Sequence, residues 1–133
     1  MEQIMIPAKL DYLETLVNFV NDVSQNFDID ESLLNKLNIA IEEIFVNIAN
    51  YAYPTGDGEV TINALSEPGK IIFEFIDSGI PYNPLEKSDP DITLSAEERA
   101  IGGLGIFMVK KVMDDVIYRY EDGQNILTII KNR

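Results

Sequence analysis

The sequence predicts an α/β protein of the α+β type: a two-layer sandwich in which a mixed, mostly antiparallel sheet carries helices on one face. Three observations lead there. Segments with strand and helix periodicity follow one another as β α α β β, a long loop, then α β β. Strands adjacent in sequence are joined by turns too short for a parallel crossover, at Glu67-Pro68-Gly69 and Asp122-Gly123. No repeat or linker divides the 133 residues, so residues 1–133 are expected to form a single domain around one core.

Each element has its own signal. Residues 2–6 alternate in polarity and Pro7 closes them, which predicts a short strand. Leu13, Leu16, Val17, Val20 and Val23 recur at spacings of three and four, predicting a helix from Leu10 to about Phe27. Asp30 is a suitable N-cap and Glu31 a suitable first-turn acid for a second helix, Glu31 to Tyr51, stopped by Pro54 and Gly56-Asp57-Gly58. Strands are predicted over 59–65 and 70–77. Residues 78–101, with three prolines and little periodicity, read as a loop, and a loop of that length in a compact domain is usually functional. Glycines 102, 103 and 105 open a third helix, Ile106 to about Met113, and strands over 116–120 and 126–131 finish the chain.

Composition narrows the chemistry. Ten basic residues against 23 acidic ones give a net charge of −13, the wrong balance for binding a phosphate backbone, so no direct nucleic-acid partner is expected. No apolar run approaches the roughly 20 residues that span a bilayer, and the N-terminus lacks the basic and apolar regions of a secretory signal; a cytoplasmic protein without membrane contact is expected. The absence of cysteine excludes disulfides, thiolate nucleophiles and cysteine-ligated zinc, and the absence of histidine excludes an imidazole base. Chemistry must run on carboxylates, amides, hydroxyls, backbone groups or a bound ligand.

Three segments carry candidates. Glu43, Asn47 and Asn50 form a polar stripe in an otherwise apolar helix. Asparagine is unfavourable in mid-helix, and spacing alone leaves open a solvated face or a site in which Asn47 offers an amide oxygen to Mg²⁺ beside a carboxylate base. Asp77-Ser78-Gly79 ends an apolar strand, as an ordinary turn or as an acceptor at a pocket floor where glycine lets a flat ring approach. Gly102-Gly103-Leu104-Gly105 runs into a helix, as a simple helix entry or as a phosphate cradle. Together they supply a base, a metal ligand, a ring acceptor and a phosphate site, the parts of a nucleotide-binding centre.

In this order the segments resemble the GHKL (histidine kinase-like) ATPase superfamily, most closely its anti-sigma-factor serine/threonine kinase branch, over nearly the whole chain. Glu43-Ile-Phe-Val-Asn47 is similar to the N box, Asp77-Ser-Gly79 to the first glycine box, and Gly103-Leu-Gly105-Ile-Phe-Met-Val to the second. The resemblance implies a Bergerat-type ATP-binding fold with ATP and Mg²⁺ as cofactors. It implies that Glu43, and not Glu42, is the base, that Asn47 binds Mg²⁺, and that Asp77 receives the adenine amino group beside Gly79. By the same resemblance Gly102, Gly103, Leu104 and Gly105 hold the phosphates, residues 82–101 form a lid, and Thr128 lies near adenine. Pro81 replaces the second glycine of the first box, a change familiar in the stand-alone bacterial branch. Tyr51 replaces the histidine that follows the N box, and Arg99 lies near the lid arginine of the kinase branch.

The implied function is an ATP-dependent protein kinase that sequesters a sigma factor, phosphorylates a serine or threonine of an anti-anti-sigma (STAS-type) partner, and forms a homodimer. The alternative is a nucleotide-binding anti-sigma or regulatory module with little or no transfer. Sensor histidine kinases would need a phosphoacceptor histidine, and the gyrase, Hsp90 and mismatch-repair branches need extra domains; neither is in this sequence.

Overall fold

A computed structural model describes residues 1–86 and 103–133. Its elements run β1 (Glu2–Pro7), a 3₁₀ turn (Leu10–Tyr12), α1 (Leu13–Asn26), α2 (Glu31–Tyr51), β2 (Glu59–Glu67), β3 (Lys70–Asp77), α3 (Gly103–Val112), β4 (Asp115–Glu121) and β5 (Gln124–Asn132), with a second 3₁₀ turn at Pro84–Glu86. The sheet order is β1-β2-β3-β5-β4, and all four pairings are antiparallel. The fold is the predicted α+β arrangement, with no parallel pair among the described strands where a mixed sheet was expected. Both predicted hairpins are present. Asp122 and Gly123 adopt φ values of 51° and 76°, the left-handed pair that a two-residue turn requires to match strand twist.

Sheet parity decides which side chains meet the helices. Val60, Ile62 and Ala64 of β2, Ile71, Phe73, Phe75 and Asp77 of β3, and Asn125, Leu127 and Ile129 of β5 alternate onto the covered face and are buried. Leu37, Ile41, Ile44 and Phe45 of α2 and Leu16, Val20 and Val23 of α1 complete the core, each side chain of Ile, Leu or Phe size contributing about 1.5–3 kcal/mol on full burial. The α2 N-terminus is held as the sequence predicts, by the Asp30 carboxylate accepting from Leu33 N–H at 2.8 Å. No helix among the described residues is long and apolar enough to cross a membrane.

The third helix begins at Gly103, three residues before the predicted start. Glycine is a weak helix former, so the propensity argument places the boundary too late. Gly103 and Gly105 therefore lie within the first turn of α3, where backbone N–H groups have no intrahelical acceptor.

Candidate functional site

The C-terminal half of α2 forms one wall of a cleft whose floor is the end of the sheet. Its inner part is lined by Ile44, Asn47, Tyr51, Phe75, Asp77 and Asn125, among others, so that a few polar groups converge on an otherwise apolar lining. The outer part is lined by Glu43, Val46, Asn47, Asn50, Tyr51, Gly105 and Ile106. Asn47 and Tyr51 border both, so the two form one continuous cleft. Periodicity explains the wall: Glu43, Asn47, Asn50 and Tyr51 fall within two turns of one helical face.

Asp77 ends β3 at the inner floor and is 6% exposed. Its Oδ1 accepts from the Asn125 amide at 2.9 Å and from Gly79 N–H at 2.9 Å, while no donor among the described residues reaches Oδ2. Burial pushes its carboxyl above the ordinary aspartate value, and the bonds from Asn125 and Gly79 partly oppose that rise. The result is a desolvated acceptor with one oxygen held and the other available to a donor in the cleft.

Gly79 is required by a close approach of two backbone segments: a Cβ there would stand 2.2 Å from the Ala52 carbonyl oxygen, so the absent side chain makes room for the end of α2. The contact is part of a staple. Ile80 N–H donates to Ala52 O at 2.9 Å, Ser78 N–H donates to the Tyr53 hydroxyl at 2.9 Å, and that hydroxyl donates to Glu59 O at 2.7 Å. The wall and the floor of the cleft are thereby fixed to each other.

At the outer end the exposed Glu43 carboxylate lies beside Gly105, on whose Cα a Cβ would stand 2.5 Å from Glu43 Oε2. A carboxylate and the first turn of a helix, whose N–H groups have no intrahelical acceptor, thus lie side by side. Asn47, one turn from Glu43, makes no hydrogen bond among the described residues, so its amide oxygen is available. An amide oxygen and a carboxylate are hard donors that suit Mg²⁺, which takes one or two protein ligands and completes its shell with water and phosphate.

The structure therefore brings together Glu43, Asn47, Tyr51, Asp77, Gly79 and Gly105, with Gly103 in the same helical turn as Gly105. Leu104 is a first-turn residue of α3. Arg99 and Gly102, and the expected lid beyond residue 86, lie outside the described residues. Thr128 is not brought to the cleft. It pairs with Glu74 and Ile117 and lies one residue from Leu127, which puts it on the opposite face of the sheet from Asp77. The β5 residue across from Asp77 is Asn125, three positions earlier and so of opposite parity.

Asn125 and Tyr118 line the cleft without a signal of their own in the sequence, and Tyr82, the first residue of the expected lid, lines it as well. The Tyr82 and Tyr51 rings pack tilted by 34° with centroids 6.2 Å apart. The signal available for Asn125 was its place beside the final hairpin: if β5 pairs antiparallel with β3, the start of β5 meets the end of β3.

An acidic acceptor on a sheet end, an amide and a carboxylate on one helix, and glycines in the first turn of another define the class of kinase-type ATPase domains. The chain belongs to the family described as histidine kinase-like ATPase domain, whose model matches residues 6–131. The serine-protein kinase RsbW of Listeria monocytogenes is 26% identical over 129 residues, covering 93% of this chain and 82% of the relative. RsbW of Bacillus mycoides is also 26% identical over 129 residues, covering 94% and 81%. A crystal structure of the RsbU and RsbW domains of a Mycobacterium tuberculosis protein superposes on 99% of this chain with a TM-score of 0.65 at 16% identity. This chain spans 32% of that longer one.

Proposed function

We propose that the protein is a cytoplasmic, ATP-dependent serine/threonine protein kinase of the anti-sigma type, built as one domain over residues 1–133. Its partners are a sigma factor, which it sequesters, and an anti-anti-sigma (STAS-type) protein, which it phosphorylates. The observation that carries the reading is the single cleft with Asp77 at its inner end and Glu43 against Gly105 at its outer end. The similarity to RsbW kinases over more than nine-tenths of the chain supports the choice of substrate class.

In this reading Asp77 Oδ2 accepts from the adenine amino group, and Gly103, Leu104 and Gly105 present first-turn N–H groups to the phosphates. Gly102, Arg99 and a lid over residues 82–101 complete the site in the same reading. Asn47 holds Mg²⁺, with Glu43 one turn away. A cation held there would supply charge neutralisation at the phosphates. Phosphoryl transfer then needs mostly positioning. A serine or threonine hydroxyl of the partner attacks the γ-phosphorus, its proton passes to the Glu43 carboxylate, and the bond to the β-phosphate oxygen breaks to release ADP.

The test is transfer of labelled phosphate from ATP to a STAS-type partner by the wild-type protein and by Glu43→Ala. A general base contributes about 10²–10⁴-fold, so transfer should fall by at least about a hundredfold while ATP affinity changes by less than about threefold. Parallel loss of affinity and transfer would make Glu43 a structural residue, and absence of transfer by a wild-type protein that binds ATP would favour a sequestering module.

A further inference from the structure

The side chain of Asn125 uses every hydrogen-bonding position it has. Its Nδ2 donates to Asp77 Oδ1 at 2.9 Å and to the Ile80 carbonyl at 2.8 Å. Its Oδ1 accepts from Tyr82 N–H at 3.1 Å and from the Tyr118 hydroxyl. Nothing on the amide is left over for a ligand, although the residue lines the inner cleft. What it does instead is connect. One buried side chain on β5 joins the acceptor at the end of β3, a phenol on β4 and two backbone groups of the chain that leaves β3.

We propose that Asn125 is the positioning residue of this cleft, holding one oxygen of Asp77 so that the other faces the ligand and tying the backbone at residues 80–82 to that same carboxylate. The proposal rests on the assignment of the inner cleft to the base of ATP. Three features support it. The register places Asn125 directly across from Asp77, so the bond follows from strand pairing and does not depend on a mobile loop. Asn125 is 6% exposed, and an amide buried at that level is stable only when paired. Finally, the two acceptors of Nδ2 and the two donors to Oδ1 fix the amide orientation, since the flipped amide would set Oδ1 against a carboxylate and a carbonyl.

The coupling has an electrostatic signature. Asn125 donates to the Asp77 carboxylate and favours its ionised form against the effect of burial. Among the described residues, the phenols of Tyr53, beyond the end of α2, and of Tyr118, on β4, interact with the Asp77 charge; Tyr51 and Tyr82 line the same pocket, and Glu86 acts on Tyr118. Burial pushes the Tyr53 and Tyr118 phenols above the ordinary tyrosine value, so neither of these two carries charge at neutral pH. Removing the amide therefore moves the Asp77 titration upward, since the bond from Asn125 opposes the effect of burial.

The experiment follows the Asp77 carboxyl by NMR through a pH titration without nucleotide, and measures ATP affinity across the same range, in the wild type and in Asn125→Ala. The proposal predicts an upward move of the Asp77 midpoint. It also predicts a loss of ATP affinity of at least about tenfold at neutral pH, as for loss of a hydrogen bond to a charged group, with the acid fall in affinity beginning at higher pH. A role in packing alone would lower affinity equally at all pH values and leave the Asp77 midpoint in place; that result overturns the proposal. A moved midpoint in a protein whose wild type binds no ATP would instead overturn the functional reading and leave the positioning role standing. In the wild type, the Asn125 side-chain amide protons should exchange slowly and their resonances should titrate with Asp77. Fast exchange overturns the proposal even if Asn125→Ala does not fold.

Discussion

The Glu43 carboxylate and Gly105 are in direct contact across α2 and α3, with room between them for no more than a hydrogen: a Cβ on Gly105 would stand 2.5 Å from Glu43 Oε2. The glycine is thus required by the position of a carboxylate, in a helical turn where alanine would otherwise be favoured.

Gly105→Ala separates these two demands. Alanine is better than glycine in a helix by about 1 kcal/mol, and the atom it meets is the far end of an exposed side chain that can swing aside. Thermal denaturation should show a fold at least as stable as the wild type, while phosphate transfer falls by about tenfold or more as Glu43 is displaced. A destabilised fold with unchanged transfer would mean that the contact is packing and nothing else.

Gly79→Ala should behave in the opposite way. Its Cβ would meet the backbone oxygen of Ala52 at 2.2 Å, and neither backbone can yield without parting the staple between α2 and β3. Overpacking of this kind costs about 1–3 kcal/mol, to be read from denaturant unfolding. Gly56→Ala is the control, since nothing lies within 4 Å of the Cβ it would add. Equal effects at the two sites would contradict the close approach.

Asp77→Asn should trade function for stability. The folded-state carboxyl lies above its ordinary value, so the stability associated with its protonated form is fully present below the unfolded-state pKa of about 3.9 and is lost as pH rises through the raised native value. Asparagine keeps an oxygen for the Asn125 and Gly79 donors and carries no charge. The difference in unfolding free energy, variant minus wild type, should therefore increase from about pH 3 to pH 7. A difference that shrinks over that range would show that the native carboxylate is stabilised by its surroundings and that the burial argument is wrong.

The wall of the cleft was legible because helix α2 announces itself locally: Asp30 caps it, its apolar residues keep helical spacing, and Glu43 and Asn47 share a face by arithmetic. Asp77 was legible for a similar reason, as the polar end of an apolar strand. Asn125 was not, because in sequence it is only a polar residue next to a hairpin. Its meaning comes from pairing with a residue 48 positions away. Thr128 illustrates the same limit: a three-residue displacement along a strand changes parity and sends a side chain to the other face. The early start of α3 escaped because tertiary contact with α2 outweighs the poor helix propensity of Gly103 and Gly105.

The central claim is that one cleft binds ATP with its base at Asp77 and its phosphates between Asn47 and the first turn of α3. Calorimetric titration with ATP and ADP, with and without Mg²⁺, tests it most directly, using the wild type and Asp77→Asn side by side. Binding should strengthen with Mg²⁺ and fall by at least about tenfold in the folded variant, the loss expected when a charged hydrogen-bond acceptor is replaced. Equal affinity of wild type and variant, or no binding by the folded wild-type protein, would contradict it.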